Sequence, residues 1–540
     1  MITKINNNNL MKKAVAGASS LLLAPFSFLV MLTFLVSSCS KDFLEVTSPS
    51  DFPIEDYYSK KVKIEEALVS AYAPLHWFDY GTTSNYNALN LSSDIMSDDM
   101  YPNGGNDADC PYLQLAFNFS VTPLTDITGI WLDSYSGVKR ANDVIKYVDW
   151  ATDMTDAEKS NVITQARLLR AYYYNLLWKY YGNIPFFFEN LEAPYTAPQL
   201  SADEVYAKVI EDLEDIIANG NLKDEWDDVN VGRVTRPMAY MLYTEMVMYQ
   251  NDQSRYAKAL GFMQNIISSG KFGLLDNFAD VWTEAGEWSK ESIFEINYYS
   301  VNGGRAWDNG LGAGGSVNIR LCGPRGFIAK KGDPYEGVVE AGWGFGYIPP
   351  KSIRSFEDGD ARKDVTGFDI WEHGDAEAMQ DAGWMFRERT PGSYYSNGKY
   401  LPWAGGNAGC TGSGDMNFNN NFRVYRYSET LLNAAELLLK TGGSTSQAAD
   451  YVNQVRNRAG LASLNSVDQD DILNERRHEF MGEGKRYWDL VRTGNAATVL
   501  KASNDDLGFR TKDWDSHCKY LPIPQDNIEA DPNLKQNPGY

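Results

Sequence analysis

Cys39 is the residue best placed for covalent chemistry. It follows Met11-Lys12-Lys13, an uncharged apolar run to Val36, and Ser37-Ser38. A thiol exposed as a new N-terminus accepts lipid through a thioether, and two small serines let a peptidase approach the backbone. The pattern is that of an exported lipoprotein cut before Cys39. Ala14 to Val36 is also long enough to cross a bilayer of about 30 Å as an uncleaved helix. Against that reading, Pro25 interrupts the run and Lys41-Asp42 end it sharply. Met11 is as good a start as Met1.

Other constellations are thin. His76, His373, His478 and His517 are far apart with no HExxH, and there is no GxSxG turn. Gly310 to Gly315 fits GxGxxG formally. It follows Trp307-Asp308-Asn309 rather than a strand and leads into SVNIRL rather than a helix, so it offers no helix N-terminus to phosphate and reads as a flexible loop. Asp98-Asp99 and Asp227-Asp228 read as solvated acidic patches, and a glycosidase pair drawn from separate segments is not recognisable. Cys110, Cys322, Cys410 and Cys518 form no CxxC and no cysteine–histidine cluster. They read as small buried residues, although an exported chain could pair them. No catalytic centre, metal or cofactor is expected.

The 540 residues carry a net charge of -23, more negative still once Lys4, Lys12 and Lys13 leave with the signal. Such a surface repels nucleic acid and anionic lipid, and favours neutral ligands. Residues 301 to 420 hold 24 of the 45 glycines, and Trp282, Trp288, Trp307, Trp343, Trp371, Trp384 and Trp403 lie in or beside them. Indole faces beside amides suit the C–H face and hydroxyl rim of a sugar ring, although large aromatics mostly fill cores. Trp282, inside FADVW, reads as core.

The elements around this stretch are helices. Thr155-Asp156-Ala157-Glu158 and Ser201-Ala202-Asp203-Glu204 are capping boxes that open periodic segments ending near Gly182 and Gly220. Further pairs span 237–249 with 256–268 and 428–440 with 446–458, each about 34 residues from start to finish, and 64–75 with 131–148 supply another. Such pairs bury their apolar faces only by stacking. The fold class is therefore mainly α, a tetratricopeptide-like repeat scaffold with an irregular, loop-rich insertion.

Cys39-Ser40-Lys41-Asp42-Phe43-Leu44, RLLRAYYYNLLWKYYGNIPF, SIFEINY, FRVYRYSETLLNAAELLLKTG, ILNERRHEFMGEGKRYWDLVRTG and the LPIP…NPGY ending together resemble the SusD/RagB family of outer-membrane nutrient-binding lipoproteins of Bacteroidota. The resemblance covers essentially the whole mature chain. It implies a signal peptide over 1–38 and one domain over 39–540: helical scaffold at about 55–270 and 428–494, ligand lobe at about 271–427, and C-terminal segment 495–540. It implies a non-enzymatic surface protein anchored in the outer membrane by lipid on Cys39. Such a protein captures oligosaccharide, here a neutral glycan, for a SusC-like TonB-dependent barrel. The ligand residues it points to are Trp77, Tyr80, Trp288, Tyr299 and Trp307, with Asp79, Asn302 and Arg305 as polar partners. The charged residues of NERRHEF, and Arg486, Trp488, Asp489 and Arg492, read as scaffold. A peptide-binding branch, a scaffold of the transporter complex and, remotely, a glycoside hydrolase stand as alternatives.

Overall fold

A computed structural model describes residues 53–83, 85–385 and 388–540; the export segment and Cys39 lie outside them. The short helix Ile54–Tyr57 belongs to a separate N-terminal unit, and the main body of the fold is Tyr58–Tyr540. No described helix is long and apolar enough to cross a membrane.

Among the described residues, nine long helices carry the architecture: α1 (Lys61–Tyr72), α2 (Thr128–Tyr147), α3 (Asp156–Tyr181), α4 (Ala202–Asn219), α5 (Arg236–Gln250), α6 (Tyr256–Ser268), α7 (Tyr427–Lys440), α8 (Thr445–Arg458) and α9 (Gln469–Phe480). Each packs against its sequence neighbour, including α6 on α7 across more than 150 intervening residues. The expected pairs α1–α2, α3–α4, α5–α6 and α7–α8 are thus stacked into one mainly helical, tetratricopeptide-like array. Thr155, Ser201 and Asp468 each form a capping box. The side chain accepts from the backbone three residues on while that residue's carboxylate returns the bond, so exposed amide donors at the helix start are satisfied.

The central helix is α3, and its second half is buried on every side, from Leu168 to Tyr181. Three of its five tyrosines have their hydroxyls satisfied by carbonyls: Tyr173 donates to Ala71, Tyr174 to Phe187 and Tyr181 to Ile127. Gly137 of α2 lies against the Tyr173 ring, where an added Cβ would come within 2.3 Å, so only glycine permits this approach of two helices. At the far end the C-terminal segment completes α3. The Leu521 amide donates to the Tyr180 carbonyl at 2.7 Å, and Asn537 Nδ2 to the Tyr181 carbonyl at 2.7 Å. Two carbonyls that a helix end leaves orphaned are thereby used.

The described strands are short and paired in twos, all antiparallel: β1 (Tyr101–Asn103) with β5 (Phe345–Tyr347), β2 (Ile184–Pro185) with β3 (Gln199–Leu200), β4 (Ser292–Ile296) with β8 (Phe422–Arg426), and β6 (Gly367–Asp369) with β7 (Tyr395–Asn397). Apart from its strands, the chain between α6 and α7 holds only short helices such as Asn318–Cys322 and Pro350–Arg354 among loops, and a buried ion network ties it to α8 and α9. Glu479 accepts from Arg426, Arg458 and Arg362, while Glu475 accepts from Arg362 and Arg456. Glu483 holds Arg426 and Lys399. Burial opposes charge on Glu479, yet the surrounding arginines hold its carboxyl well below the usual carboxylate range.

Asp98-Asp99 corrects the expectation of a solvated patch. Asp99 is wholly buried, and Arg477 and Arg486 grip both carboxylates. Cys110, Cys322, Cys410 and Cys518 are free thiols.

His478 of α9 is buried beside Phe356 and Ser355. Burial first, then Arg362 and Arg477, push its pKa down to about 4. The native imidazole is therefore neutral while the unfolded one titrates near 6.5, so falling pH favours the unfolded chain from about 6.5 down to 4. Urea unfolding measured between pH 7 and 5 is expected to lose up to about 1.4 kcal/mol per pH unit from this group. His478→Gln is expected to flatten that part of the profile; an unaltered slope in the variant refutes the assignment.

Candidate functional site

The loop from Gly303 to Val317 has no repeating side-chain pattern, so tertiary contacts must hold it. Its anchor is Arg305, with no side-chain exposure. The guanidinium donates to Asp79 Oδ1 at 2.8 Å and Oδ2 at 3.3 Å, and to the carbonyls of Tyr80, Gly310 and Gly315. Asp79 also accepts from the Ser316 hydroxyl and the Val317 amide. Burial works against the Arg305 charge, and Asp79 more than restores it, raising its pKa above the ordinary value. Asn417 supports the loop from behind, donating to the carbonyls of Arg305 and Ser413 and accepting from the Gly315 amide.

With the loop so pinned, Ala306 and Asn309 exchange backbone hydrogen bonds, and Trp307 and Asp308 occupy the turn between them. Trp307 is 43% exposed. Its ring lies 5.6 Å from that of Trp343 at an interplanar angle of 31°, and edge-on to Tyr80 at 5.4 Å. Tyr86 touches Tyr80, Trp343 and Phe345 in turn, so five rings form one continuous cluster. Trp343 is placed by backbone contacts: its amide donates to Arg320, and Gly344 donates to Gly323. Gly323 and Gly342 approach so closely that a Cβ on Gly342 would lie 2.4 Å from backbone. Around the rings stand Asp308 and Asn309, and Arg320 paired with Glu340 and Asp415. Of the five rings only Trp307 is exposed; Trp343 and Tyr86 are partly buried, and Tyr80 and Phe345 are buried beneath them, which corrects the expectation that Tyr80 meets ligand. The result is a shallow aromatic face with a polar edge, able to stack a flat ligand with apolar faces and hydrogen-bonding edges.

The residues named from sequence fall into three groups. Trp307 and Tyr80 come together in the cluster. Trp77, Asp79 and Arg305 are buried supports that do not face solvent: Trp77 donates from Nε1 to the Leu311 carbonyl and lies under Arg140. Trp288 lies against Gly232 and shares no ring contact with the cluster among the described residues. Tyr299, 58% exposed, and Asn302 stand on the solvent side of the turn that leads into the loop. Three members of the cluster, Tyr86, Trp343 and Phe345, escape sequence reasoning. Tyr86 sits in a polar stretch that gives no signal, and Trp343 is one of many tryptophans. Its signal lies in the Gly342-Trp343-Gly344 spacing, which frees an indole from neighbouring side chains.

Two other features are weaker as sites. A cavity of about 580 Å³ lies among Tyr101, Phe117, Tyr394, Leu507 and Arg510. Two of its ionic groups are satisfied within the protein: Arg510 donates to the Phe117 and Ser97 carbonyls, and Asp505 accepts from the Tyr101 hydroxyl. Asp515, His517 and Cys518 have ligand-type atoms within 4.8 Å of one another, an adjacency the expectation of no cysteine–histidine cluster overlooks. Asp515 already engages His517 Nδ1, and burial keeps the Cys518 thiol protonated.

The chain can be set beside known proteins at this point. A family model described as the SusD family matches residues 290–540, and one described as starch-binding associating with outer membrane matches residues 42–245. The structure resembles that of surface glycan-binding protein A from Bacteroides thetaiotaomicron in complex with laminarihexaose, at 43% identity and a TM-score of 0.80, covering 88% of this chain and 99% of that one. A laminarin binding SusD-like protein is similar at 28% identity and a TM-score of 0.76, over 89% of this chain and 100% of its own. SusD-like protein P25 of Formosa agariphila is 24% identical over 94% of this chain and 98% of its own. Two family models that together span most of the chain, and a relative this similar over nearly its whole length, agree with the helical array and its inserted loops: the chain belongs to the SusD family.

Proposed function

We propose that this protein captures a neutral glycan of the laminarin type on the aromatic face of Trp307 and Trp343, as a cell-surface lipoprotein anchored through Cys39, and passes it to a SusC-like TonB-dependent barrel. The single observation that carries the reading is the ring cluster of Tyr80, Tyr86, Trp307, Trp343 and Phe345, open to solvent at Trp307 and locked by a buried ion pair. A similar protein, 43% identical, was solved with laminarihexaose, which supports a glucan as the ligand class. The acidic chain supports a neutral one.

The mechanism is capture without bond-making. Sugar rings lay their C–H faces on the two indoles while hydroxyls meet Asp308, Asn309 and the Arg320–Asp415 edge. Trp343 has its backbone held on both sides, so little conformational entropy is lost when a ligand stacks on it. A face this shallow gives a dissociation constant of roughly micromolar to millimolar, equivalent to about -8 to -4 kcal/mol. Weak binding allows release to a barrel, and a lipid tether raises the local glycan concentration at its mouth without any new contact.

Trp307→Ala and Trp343→Ala are each expected to weaken laminarin retention in affinity gels and calorimetry by about tenfold, roughly 1.4 kcal/mol, with folding unchanged. Unchanged affinity in both would rule out the face as the glycan site. Arg305→Met leaves Asp79 charged and buried without its partner. It is expected to cost about 3–5 kcal/mol of stability and to weaken binding although Arg305 touches no ligand. Wild-type melting with wild-type affinity would contradict that positioning role. Cys39→Ala should move the protein out of the outer-membrane fraction, while the wild type co-purifies with a barrel from detergent extracts; a variant that stays membrane-bound and wild type that brings down no barrel argue against anchoring and delivery.

A further inference from the structure

The segment that carries Trp343 is tied to one bearing another exposed indole, which the platform does not use. Trp384 is 39% exposed, and its ring stands edge-on to Phe509 at 5.9 Å. Asn103 links it to the platform. Wholly buried and at a left-handed φ of 44°, Asn103 donates from Nδ2 to the Gly344 carbonyl at 2.8 Å. Its own carbonyl accepts from Trp384 Nε1 at 3.2 Å, and its Oδ1 accepts from the Met385 amide. The Gly104 amide donates to the same Gly344 carbonyl at 3.0 Å. One residue therefore fixes both tryptophan-bearing segments, and ordinary bond and hydrogen-bond lengths place the two segments within roughly 15 Å.

The ground between them is closely packed around glycines. Gly105 and Gly383 are partly buried, and Gly104 and Gly344 are buried. No side chain could be added there: a Cβ on Gly104 would meet the Phe345 ring at 2.7 Å, one on Gly105 Arg325 Nη2 at 2.7 Å, one on Gly344 the Arg325 side chain at 2.7 Å, and one on Gly383 Asn103 Nδ2 at 2.4 Å, so Phe345, Arg325 and Asn103 already cover these glycines. Arg325 runs alongside, donating from Nη1 to the Trp343 carbonyl at 3.3 Å and from Nε to Asp381 at 3.0 Å. An exposed indole with a fixed charged pair beside it repeats part of the chemistry of the platform, on a segment that Asn103 and Arg325 tie to Trp343.

We propose that Trp384 and the neighbouring Arg325–Asp381 pair form a distal subsite for further rings of the same glycan chain, so that the protein grips long chains more tightly than short ones. The proposal rests on the platform reading of Trp307 and Trp343. Asp381 at its edge disfavours an anionic polymer, which narrows the ligand to long neutral glycans.

The test is calorimetry with β-1,3-linked glucose oligomers of increasing length and with laminarin, on wild type, Trp384→Ala, Trp384→Phe and Trp307→Ala. Trp384→Ala is expected to bind the shortest oligomers like wild type and the polymer about tenfold more weakly, and Trp384→Phe, which keeps a flat ring, to recover most of that loss. Trp307→Ala is expected to lose affinity at every length. If Trp384→Ala matches wild type at all lengths, or loses equally at all lengths, the subsite is overturned while the platform stands. If Trp307→Ala loses nothing, the platform reading fails and the subsite as an extension of it fails with it.

Discussion

Asp79 and Arg305 form the contact on which the aromatic face depends. Two opposite charges taken out of water carry a large desolvation cost, and a lone pair of them is no more stable than apolar side chains of the same size. This pair is instead saturated: Asp79 accepts from Arg305, Ser316 and Val317, and Arg305 also reaches three carbonyls. Each bond fixes a different stretch of backbone, so one interaction sets the path of the segment after α1 and of the glycine-rich loop together. Without it, neither Tyr80 nor Trp307 has a reason to be where the other can meet it.

The same logic holds the larger assembly. An insertion of more than 150 residues between α6 and α7 would gain little from its own irregular chain, so its attachment comes from ions shared with the helices. Glu475, Glu479 and Glu483 receive Arg362, Lys399 and Arg426 from the inserted chain and its last strand, and Arg456 and Arg458 from α8. Such a network is directional in a way that apolar packing is not, and it fixes how the insertion is seated on α9. The C-terminal segment acts similarly on α3, using Leu521 and Asn537 to satisfy carbonyls that the helix itself leaves open.

A binding face of this kind differs from an enclosed pocket in what it can achieve. Its rings are held by backbone, by neighbouring rings and by glycines that exclude side chains, so rigidity is supplied before any ligand arrives. Its openness limits the area a ligand can bury, and so limits affinity. Rigid but shallow recognition fits the proposed role of holding a chain briefly and then letting it go.

Much of the scaffold is legible in the residue order. The capping boxes at Thr155 and Ser201, the helical periodicity and the ordered pairs of about 34 residues specify the array because helix faces are set by residues three or four apart. The exchange of Arg and Glu in NERRHEF likewise signals an ion network, though not its members. The binding face is another matter. Asp79 and Arg305 are separated by 226 positions, and Trp77 and Leu311 by 234, with no local pattern to mark either contact. Trp77 and Trp307 are the same residue type in equally plausible settings, yet one is 4% exposed and the other 43%. In glycine-rich chain without periodicity, side-chain direction follows from long-range contacts alone. Residue order therefore specified the helices and their sequence of stacking, while which rings face solvent was settled by folding distant segments onto one buried ion pair.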